Sequence, residues 1–548
     1  MSLRSPLAYC LPDETARVAR AAFPRGNPYL RVSDALGAIF ANPQFTDLYP
    51  KEGQPAEDPA RLALVTIFQF AEGLTDRQAA DAVRARIDWK YALCLPLEDD
   101  GFDASVLVEF RARLLAGRAE LRLFETVLAC LKDHGFVKAR GRQRTDSTHV
   151  LAAIHVLNRL ECVAETLRHA LNVLAVAAPD WLQSWVPTDW FDRYGQRLQD
   201  YRLPKGKEER QALAEDIGAD GLRLLASLAD PQALVGLDQL PALRTLRRVW
   251  IEQFYAGEPI RWRAAEDLPP SSVMISSPYD AEARYSIKRE TTWTGYKVHL
   301  TETCDDDTPN LITDVATTAA THQDYEATAA IQDRLAARDL LPREHLVDAG
   351  YTSADRLVTS RDDHAIELLG PVGGDPSWQS RQKTGYALAQ FRIDWERQRA
   401  ICPEGKASIA WRPTTDRHNH PVISIRFAPA DCKLCPVRHR CVGHDRPRVL
   451  LARPRPQFEA LMSARQRQTT EEFQARYAKR AGVEGTISQG IHVCDLRRTR
   501  YRGLAKTALG HAFIATALNF VRIAAWLAEV PRSITLPSAF AALAPAGP

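Results

Sequence analysis

The sequence predicts an α/β protein: a central mixed sheet, an all-α N-terminal part, a helical insertion after the first strand and a β-rich insertion ahead of the last helices. Three observations carry this. From about Asp58 to His134 the apolar residues recur at helical spacing. From Ser286 the pattern changes to strand-like alternation, and strands and helices then follow one another. Between 371 and 455, Pro, Gly and Arg punctuate short strand-like runs before helices resume at Gln457. A chain of 548 residues is too long for one core. The expected division is a helical domain over 1–135 and an α/β domain over 136–530. The latter is interrupted at 151–270 by helices and at 371–455 by a cysteine-containing β-rich segment, and a tail occupies 531–548.

Composition narrows the function classes. Hydrophobic residues at 45% and charged residues at 25% describe an ordinary globular chain. With a formal net charge of only +3, any nucleic-acid surface has to be built from local clusters. Met1 to Arg20 carries Arg, Asp and Glu with no apolar h-region, so no signal peptide is expected. The stretch from Ala508 to Val530 is interrupted by His511, Asn519 and Arg522, which predicts a buried helix and no membrane span. A cytoplasmic location is the expectation.

Taking the elements in order, Pro59 to Glu72 has helical spacing, Gly73 interrupts it, and Thr75 with Gln78 forms a capping box that opens the next helix. Two helices joined by a Gly turn fit helix-turn-helix spacing, which serves both DNA readers and bundles that bind nothing. Arg84, Arg86 and Lys90 follow, and a helix from Ser105 bears Arg111, Arg113 and Arg118. Gln143 to Val150 is a short strand containing Asp146, after which helix is expected from about Leu151 to Val176. Helices continue from Pro179 to Pro269, where Trp181, Trp185, Trp190 and Trp250 read as packing residues. Thr291–Glu302 and Leu311–Thr318 form a hairpin, followed by a helix over Asp324–Arg338 and a strand ending at Asp348. A helix over Ser353–Asp363 and a strand over Ala365–Gly370 complete the sheet.

Three carboxylates stand out. Asp146 lies in the first strand, Asp348 closes a later one, and Glu484 sits on a helix with Arg480 four residues and Tyr477 seven residues before it. Alone, each acid reads equally as a turn former or half of a surface ion pair. Together, three hard oxygen donors suit Mg²⁺ or Mn²⁺, and a pair of such ions can activate an attacking water or hydroxyl and stabilise a leaving oxygen. Arg480 and Tyr477 would donate to phosphate oxygens.

These residues resemble a known family. Thr145-Asp146-Ser-Thr, Ser277-Pro-Tyr-Asp-Ala-Glu-Ala-Arg-Tyr-Ser286, Gly295-Tyr-Lys-Val-His-Leu and Leu346-Val-Asp-Ala-Gly-Tyr351 are similar to segments of bacterial insertion-sequence transposases of the DDE type. Most specific is the Tyr-x2-Arg-x3-Glu signature at Tyr477, Arg480 and Glu484, followed by Gly-Thr-Ile-Ser-Gln-Gly and Leu496-Arg-Arg-x-Arg-Tyr-Arg-Gly-Leu-Ala-Lys506. The resemblance spans about residues 40 to 525, and its helical part is similar to the N-terminal domain of InsH-type transposases.

It implies an RNase H-like core, a metal-binding catalytic triad of Asp146, Asp348 and Glu484, and Tyr477 and Arg480 as phosphate-contacting companions. It further implies about two Mg²⁺ or Mn²⁺ ions, transposon-end and target DNA as partners, and a homodimer or higher synaptic multimer with no membrane involvement. The implied activity is transposition: recognition of terminal inverted repeats, metal-dependent hydrolysis of the end, and joining of the 3′-hydroxyl to target DNA. A nuclease without strand transfer and a non-catalytic DNA-binding descendant are the alternatives. One departure is Ile491, where related transposases often have lysine seven residues after the glutamate.

The remaining candidates are basic and sulfur-bearing. Arg497, Arg498, Arg500, Arg502 and Lys506, with Tyr501 among them, suit phosphate neutralisation or a solvated helix face. Lys288, Arg289 and Lys297 flank Trp293, which serves either as a base-stacking contact or as core. Cys402, Cys432, Cys435 and Cys441 are either a structural zinc site or reduced thiols in a β insert. The six other cysteines are scattered singly.

Overall fold

The computed structural model describes residues 2–3, 9–155, 157–197, 203–229, 236–255, 257–288, 290–382, 384–443 and 446–531. The chain begins with seven helices: α1 (Asp13–Ala22), α2 (Pro28–Leu36), α3 (Pro59–Ala71), α4 (Asp76–Ala85), α5 (Ile87–Ala92), α6 (Ser105–Ala116) and α7 (Arg122–Asp133). Asp58 caps α3 by accepting from the backbone of Ala60 and Arg61, with Pro59 in the first turn where its missing N–H costs nothing. Gly73 takes a φ of 67°, and the expected Thr75–Gln78 capping box starts α4.

The central sheet has the order β4-β5-β1-β7-β8, with β6 also pairing β5. Its strands are β1 (Arg142–Leu151), β4 (Arg284–Lys288), β5 (Thr291–Thr303), β6 (Ile312–Ala319), β7 (Glu344–Val347) and β8 (Glu367–Leu369), while β2 (Phe254–Tyr255) and β3 (Arg261–Trp262) form a separate small ladder. β5 runs antiparallel to β1 and β6, as the predicted hairpin requires, whereas β7 runs parallel to both β1 and β8. Gly295 lets β5 approach β1: a Cβ there would fall 2.1 Å from the Val150 carbonyl oxygen. The sheet is a mixed one with helices beside it, as the sequence predicts.

Helices α8 (Arg159–Ala177), α9 (Pro179–Trp185), α10 (Asp189–Tyr194), α11 (Lys207–Leu228) and α12 (Pro241–Gln253) follow β1 and close around their own core. α8 starts at Arg159, not at Leu151, because β1 continues to Leu151 and Asn158 caps the helix with Glu161. Trp190 and Trp250 are buried there and donate to Asp220 and to the Gly218 carbonyl, so the packing role expected of them holds. Helices α13 (Asp324–Ala337) and α14 (Ala354–His364) flank β7. The short α15 (Trp378–Arg381) and α16 (Pro429–Lys433) accompany two small sheets: β9 (Arg392–Asp394) with β10 (Arg399–Ile401), and β11 (Ser408–Thr415) with β12 (Pro421–Phe427) and β13 (Val449–Ala452).

The chain then returns through α17 (Arg455–Arg467), α18 (Glu471–Tyr477), a 3₁₀ turn over Ala478–Ala481, α19 (Gly482–Cys494) and α20 (Leu504–Leu527). α20 is apolar on all sides and long enough to cross a bilayer, but 78% of its apolar window is buried, as a core helix requires. It packs on α3, α2 and α7 and on β6, so N-terminal helices and sheet share one continuous core from Tyr29 to Ala524. Asn519, fully buried, accepts from the Ile312 backbone N–H and donates to its carbonyl, holding α20 to the start of β6.

Candidate catalytic site and nucleic-acid interface

Strand register creates the site. Parallel pairing of β1 with β7 sets Thr145 opposite Val347, so Asp146 and Asp348 are the next residues on two neighbouring strands. Asp146 is half-buried. One of its oxygens accepts from the Ser147 N–H at 2.7 Å and the other from Arg480 at 2.8 Å. Burial raises its pKa and the Asp348 carboxylate adds to the rise; the Ser147 N–H and Arg480 offset part of it. Asp348 accepts from the Gly350 N–H at 2.8 Å.

Arg480 is the hinge of the group. Its second guanidinium nitrogen donates to Glu484 at 2.7 Å, so one planar fork spans Asp146 and the more exposed Glu484. The predicted face of Tyr477, Arg480 and Glu484 forms, although the helix is segmented into α18, the 3₁₀ turn and α19. Tyr477 stacks on Phe473 with centroids 5.4 Å apart, and Arg480 lies 5.9 Å over its ring.

A buried ion network that sequence reasoning missed holds this helix against the sheet. Glu302 in β5 is fully buried and accepts from Arg144 at 2.7 Å, from Thr486 of α19 at 2.6 Å and from Arg522 of α20 at 2.6 Å. Arg144 also donates to the Lys479 carbonyl, in the turn that carries Arg480. Burial would raise the Glu302 pKa, but Arg522 and Arg144 overcome it and hold the carboxyl below its usual range. The available signal was a lone acid inside a β run, with arginine two residues before Asp146.

Asp324 was missed as well. It lies beside Asp348 across Gly350, where a Cβ would come within 3.0 Å of Asp348 Oδ1 and 3.3 Å of Asp324 Oδ2. Lys297 pairs with Asp324 at 3.2 Å and donates to the His322 carbonyl, and Lys288 approaches the same acid at 3.9 Å. Lys297 is therefore buried and engaged, which corrects its expected place as a DNA contact; Lys288 stays exposed. Of the two places open to Trp293, it takes the core: it is buried, donates to the Tyr296 carbonyl and packs near His149. Arg289 lies outside the described residues.

The basic stretch after α19 divides by position. Leu151 at the end of β1 donates its N–H to the Arg497 carbonyl at 2.7 Å, and Arg497 Nε donates to Thr148 at 2.8 Å, two residues along β1 from Asp146. Arg498 is exposed. Arg500 lies 6.0 Å over Phe70 and approaches the Leu74 carbonyl, and Arg502 lies over Tyr279 and near the Ala153 carbonyl. Lys506 is exposed in the first turn of α20. Ile491 packs against the main core.

The N-terminal cations are mostly consumed by the fold. Arg111 forms a two-pronged pair with Asp76, Arg86 bridges Glu72 and Asp88, and Lys90 is buried and donates to the Asp99 carbonyl. Arg113 covers Tyr49 at 4.7 Å.

Among the described residues no group of three or more His, Cys, Asp or Glu side chains is assembled closely enough to share a metal ion. The donor chemistry nonetheless fits a divalent cation. Asp146 and Glu484 share one guanidinium, Arg480, Asp348 adds a further carboxylate beside Asp146, and Asp324 has its own lysine, so the oxygen donors outnumber the cations paired with them. Cys402, Cys432, Cys435 and Cys441 line one cavity of about 360 Å³ in the β-rich part.

The transposase DDE domain family matches residues 401–524, a span that includes Glu484, the basic stretch and the four cysteines. A second family, described as transposase domain (DUF772), matches residues 17–113 in the N-terminal helices. No curated relative and no solved structure matches the chain. One transposase family matches over the N-terminal helices and another over the Glu484 helix, and together they support reading the chain as an insertion-sequence transposase of the DDE type.

Proposed function

We propose that this transposase binds the terminal inverted repeats of its element, hydrolyses the phosphodiester at each end, and joins the freed 3′-hydroxyl to target DNA. The observation that carries the reading is the convergence of Asp146, within β1, and Asp348, just past the end of the adjacent parallel β7, with Glu484 through the Arg480 that bridges Asp146 and Glu484. In this reading the sheet is an RNase H-like core, and the insertions at 151–270 and 371–455 are elaborations of it. Asp146, Asp348 and Glu484 would hold Mg²⁺ or Mn²⁺, which when bound activates the attacking oxygen and stabilises the leaving one.

The chain's own residues supply the rest. Arg480 neutralises the acids and, once it lets go of Glu484, offers its fork to a phosphate oxygen. Tyr477 donates from its hydroxyl beside it. Arg497, on the Asp146 face of β1, takes the phosphate contact that Ile491 cannot make, with Arg498, Arg500, Arg502 and Lys506 continuing the track. A synaptic dimer holding two ends, working in the cytoplasm where the element's DNA lies, completes the proposal.

The test is to incubate the protein with Mg²⁺, labelled end DNA and a target plasmid. Joined products are expected, and they should vanish with Asp146→Ala or Asp348→Ala while end binding persists. Cleavage with no joining would indicate a nuclease. Binding with no metal-dependent cleavage under any condition would indicate a non-catalytic descendant.

A further inference from the structure

The β-rich insertion carries chemistry that the DNA-cutting site does not use. Its own core is small: Phe391, Ala400, Ile425, Phe427, Leu450 and Ala452 form its buried apolar cluster, and Cys402, Cys432 and Cys441 pack against them. So small an apolar cluster is marginal without a covalent or metal staple.

The four cysteines come from three separate segments: Cys402 follows β10, Cys432 lies in α16 with Cys435 just beyond it, and Cys441 follows a 3₁₀ turn at Arg438–Arg440. All four line the same cavity, although they are up to 39 residues apart in sequence by their numbers. All are free thiols.

The backbone around them is already shaped for sulfur ligation. Residues 402–406 close a tight loop in which Gly405, at a φ of 81°, donates its N–H to the Cys402 carbonyl, and the Lys406 N–H donates to Cys402 Sγ at 3.3 Å. The Cys441 carbonyl is gripped by Gln379 at 2.7 Å and Arg448 at 3.1 Å, which fixes that side of the cavity.

We infer that Cys402, Cys432, Cys435 and Cys441 form a tetrathiolate structural zinc site that staples the β-rich insertion. Four sulfur donors select a tetrahedral soft-metal site, and a closed set with no open position is structural, not catalytic. The thiols surround the cavity without three of them reaching shared-ion distance, so binding draws them inward to Zn–S bonds of about 2.3 Å. The segments that move are the 402–406 loop, the short helix α16 and the 3₁₀ turn before Cys441, since the strands beneath are held by their own ladders.

The test is metal analysis of the full chain purified under reducing conditions and again after incubation with Zn²⁺. About one equivalent of zinc per chain is expected. Cys432→Ser with Cys435→Ser should reduce it more than tenfold, whereas Cys10→Ser, at an exposed and isolated cysteine, should retain it. If the double variant fails to fold, substitution of the unmodified protein with Co²⁺ gives an independent readout, and strong sulfur-to-cobalt absorption of tetrahedral type is expected. Zinc content below a tenth of an equivalent after reconstitution would overturn the inference. So would iron and sulfide in place of zinc, or cobalt absorption lacking sulfur character. None of these readouts depends on DNA cleavage.

Discussion

Asp146 sits in a conflict that its position creates. Folding removes it from water and sets it beside Asp348, and the Ser147 N–H and Arg480 compensate only in part, so its pKa in the folded protein lies above the ordinary value. A carboxyl with a raised folded pKa binds its proton more tightly when folded. Its stability contribution is full below the unfolded pKa, near 3.8, and is lost as pH rises through the folded value. Asp146→Asn is therefore expected to melt at a higher temperature than the unmodified protein at neutral pH. That gain should shrink as pH falls toward the unfolded value. Melting curves across pH check this, and an unchanged or lower melting temperature at pH 7 would contradict it. With the catalytic role proposed for Asp146, cleavage is expected to be lost in the same variant. The acid itself was legible in the sequence through the motif around it. Its protonation behaviour was not, because that depends first on burial in the folded protein and then on a neighbour some two hundred positions away.

Among the elements, α19 and its preceding turn illustrate how a surface-looking signature becomes a site. The spacing of Tyr477, Arg480 and Glu484 set them on one face, but spacing does not say what that face meets. Glu302 decides it. By accepting from Thr486, Arg144 and Arg522 at once, it fastens α19 and α20 to β5 and aims Arg480 at Asp146. Glu302→Gln would leave the buried Arg144 and the partly buried Arg522 without their counter-charge. Such a change is expected to cost about 3–5 kcal/mol in urea or guanidinium unfolding. A loss under about 1 kcal/mol would mean that the network contributes no more than an ordinary surface pair. Trp293 and Lys297 show the opposite lesson at this scale. They share a strand with cations and aromatics in a pattern that suits DNA, yet β5 is covered on its neighbours' side and both turn inward. Alternation along a strand marks two faces without telling which one water sees.

Across the whole molecule the cations sort into those that hold the fold and those the proposal assigns to DNA. Arg111, Arg86 and Lys90 are engaged with acids or carbonyls, whereas Arg497 lies on the Asp146 face and Arg498 and Lys506 are exposed. Measured as end-DNA affinity against salt concentration, Arg497→Ala together with Lys506→Ala is expected to reduce the slope by about two phosphate contacts, near 0.9 each. Arg111→Ala should leave that slope unchanged and lower stability instead. A slope change with Arg111→Ala and none with the double variant would reverse the assignment.

Local order determined much of this protein. Apolar period placed the helices, the hairpin and the α/β alternation, because each depends on a few neighbouring residues. The motifs around Asp146, Asp348 and Glu484 pointed to the family that the two transposase matches support. Tertiary structure alone decided the parallel register that makes Asp146 and Asp348 neighbours, the Glu302 anchor, the burial of Lys297 and Trp293, and the gathering of four cysteines around one cavity. The physical reason is common to all four. Electrostatics and burial act through space between residues brought together by strand pairing and α20, and no window of sequence contains both partners.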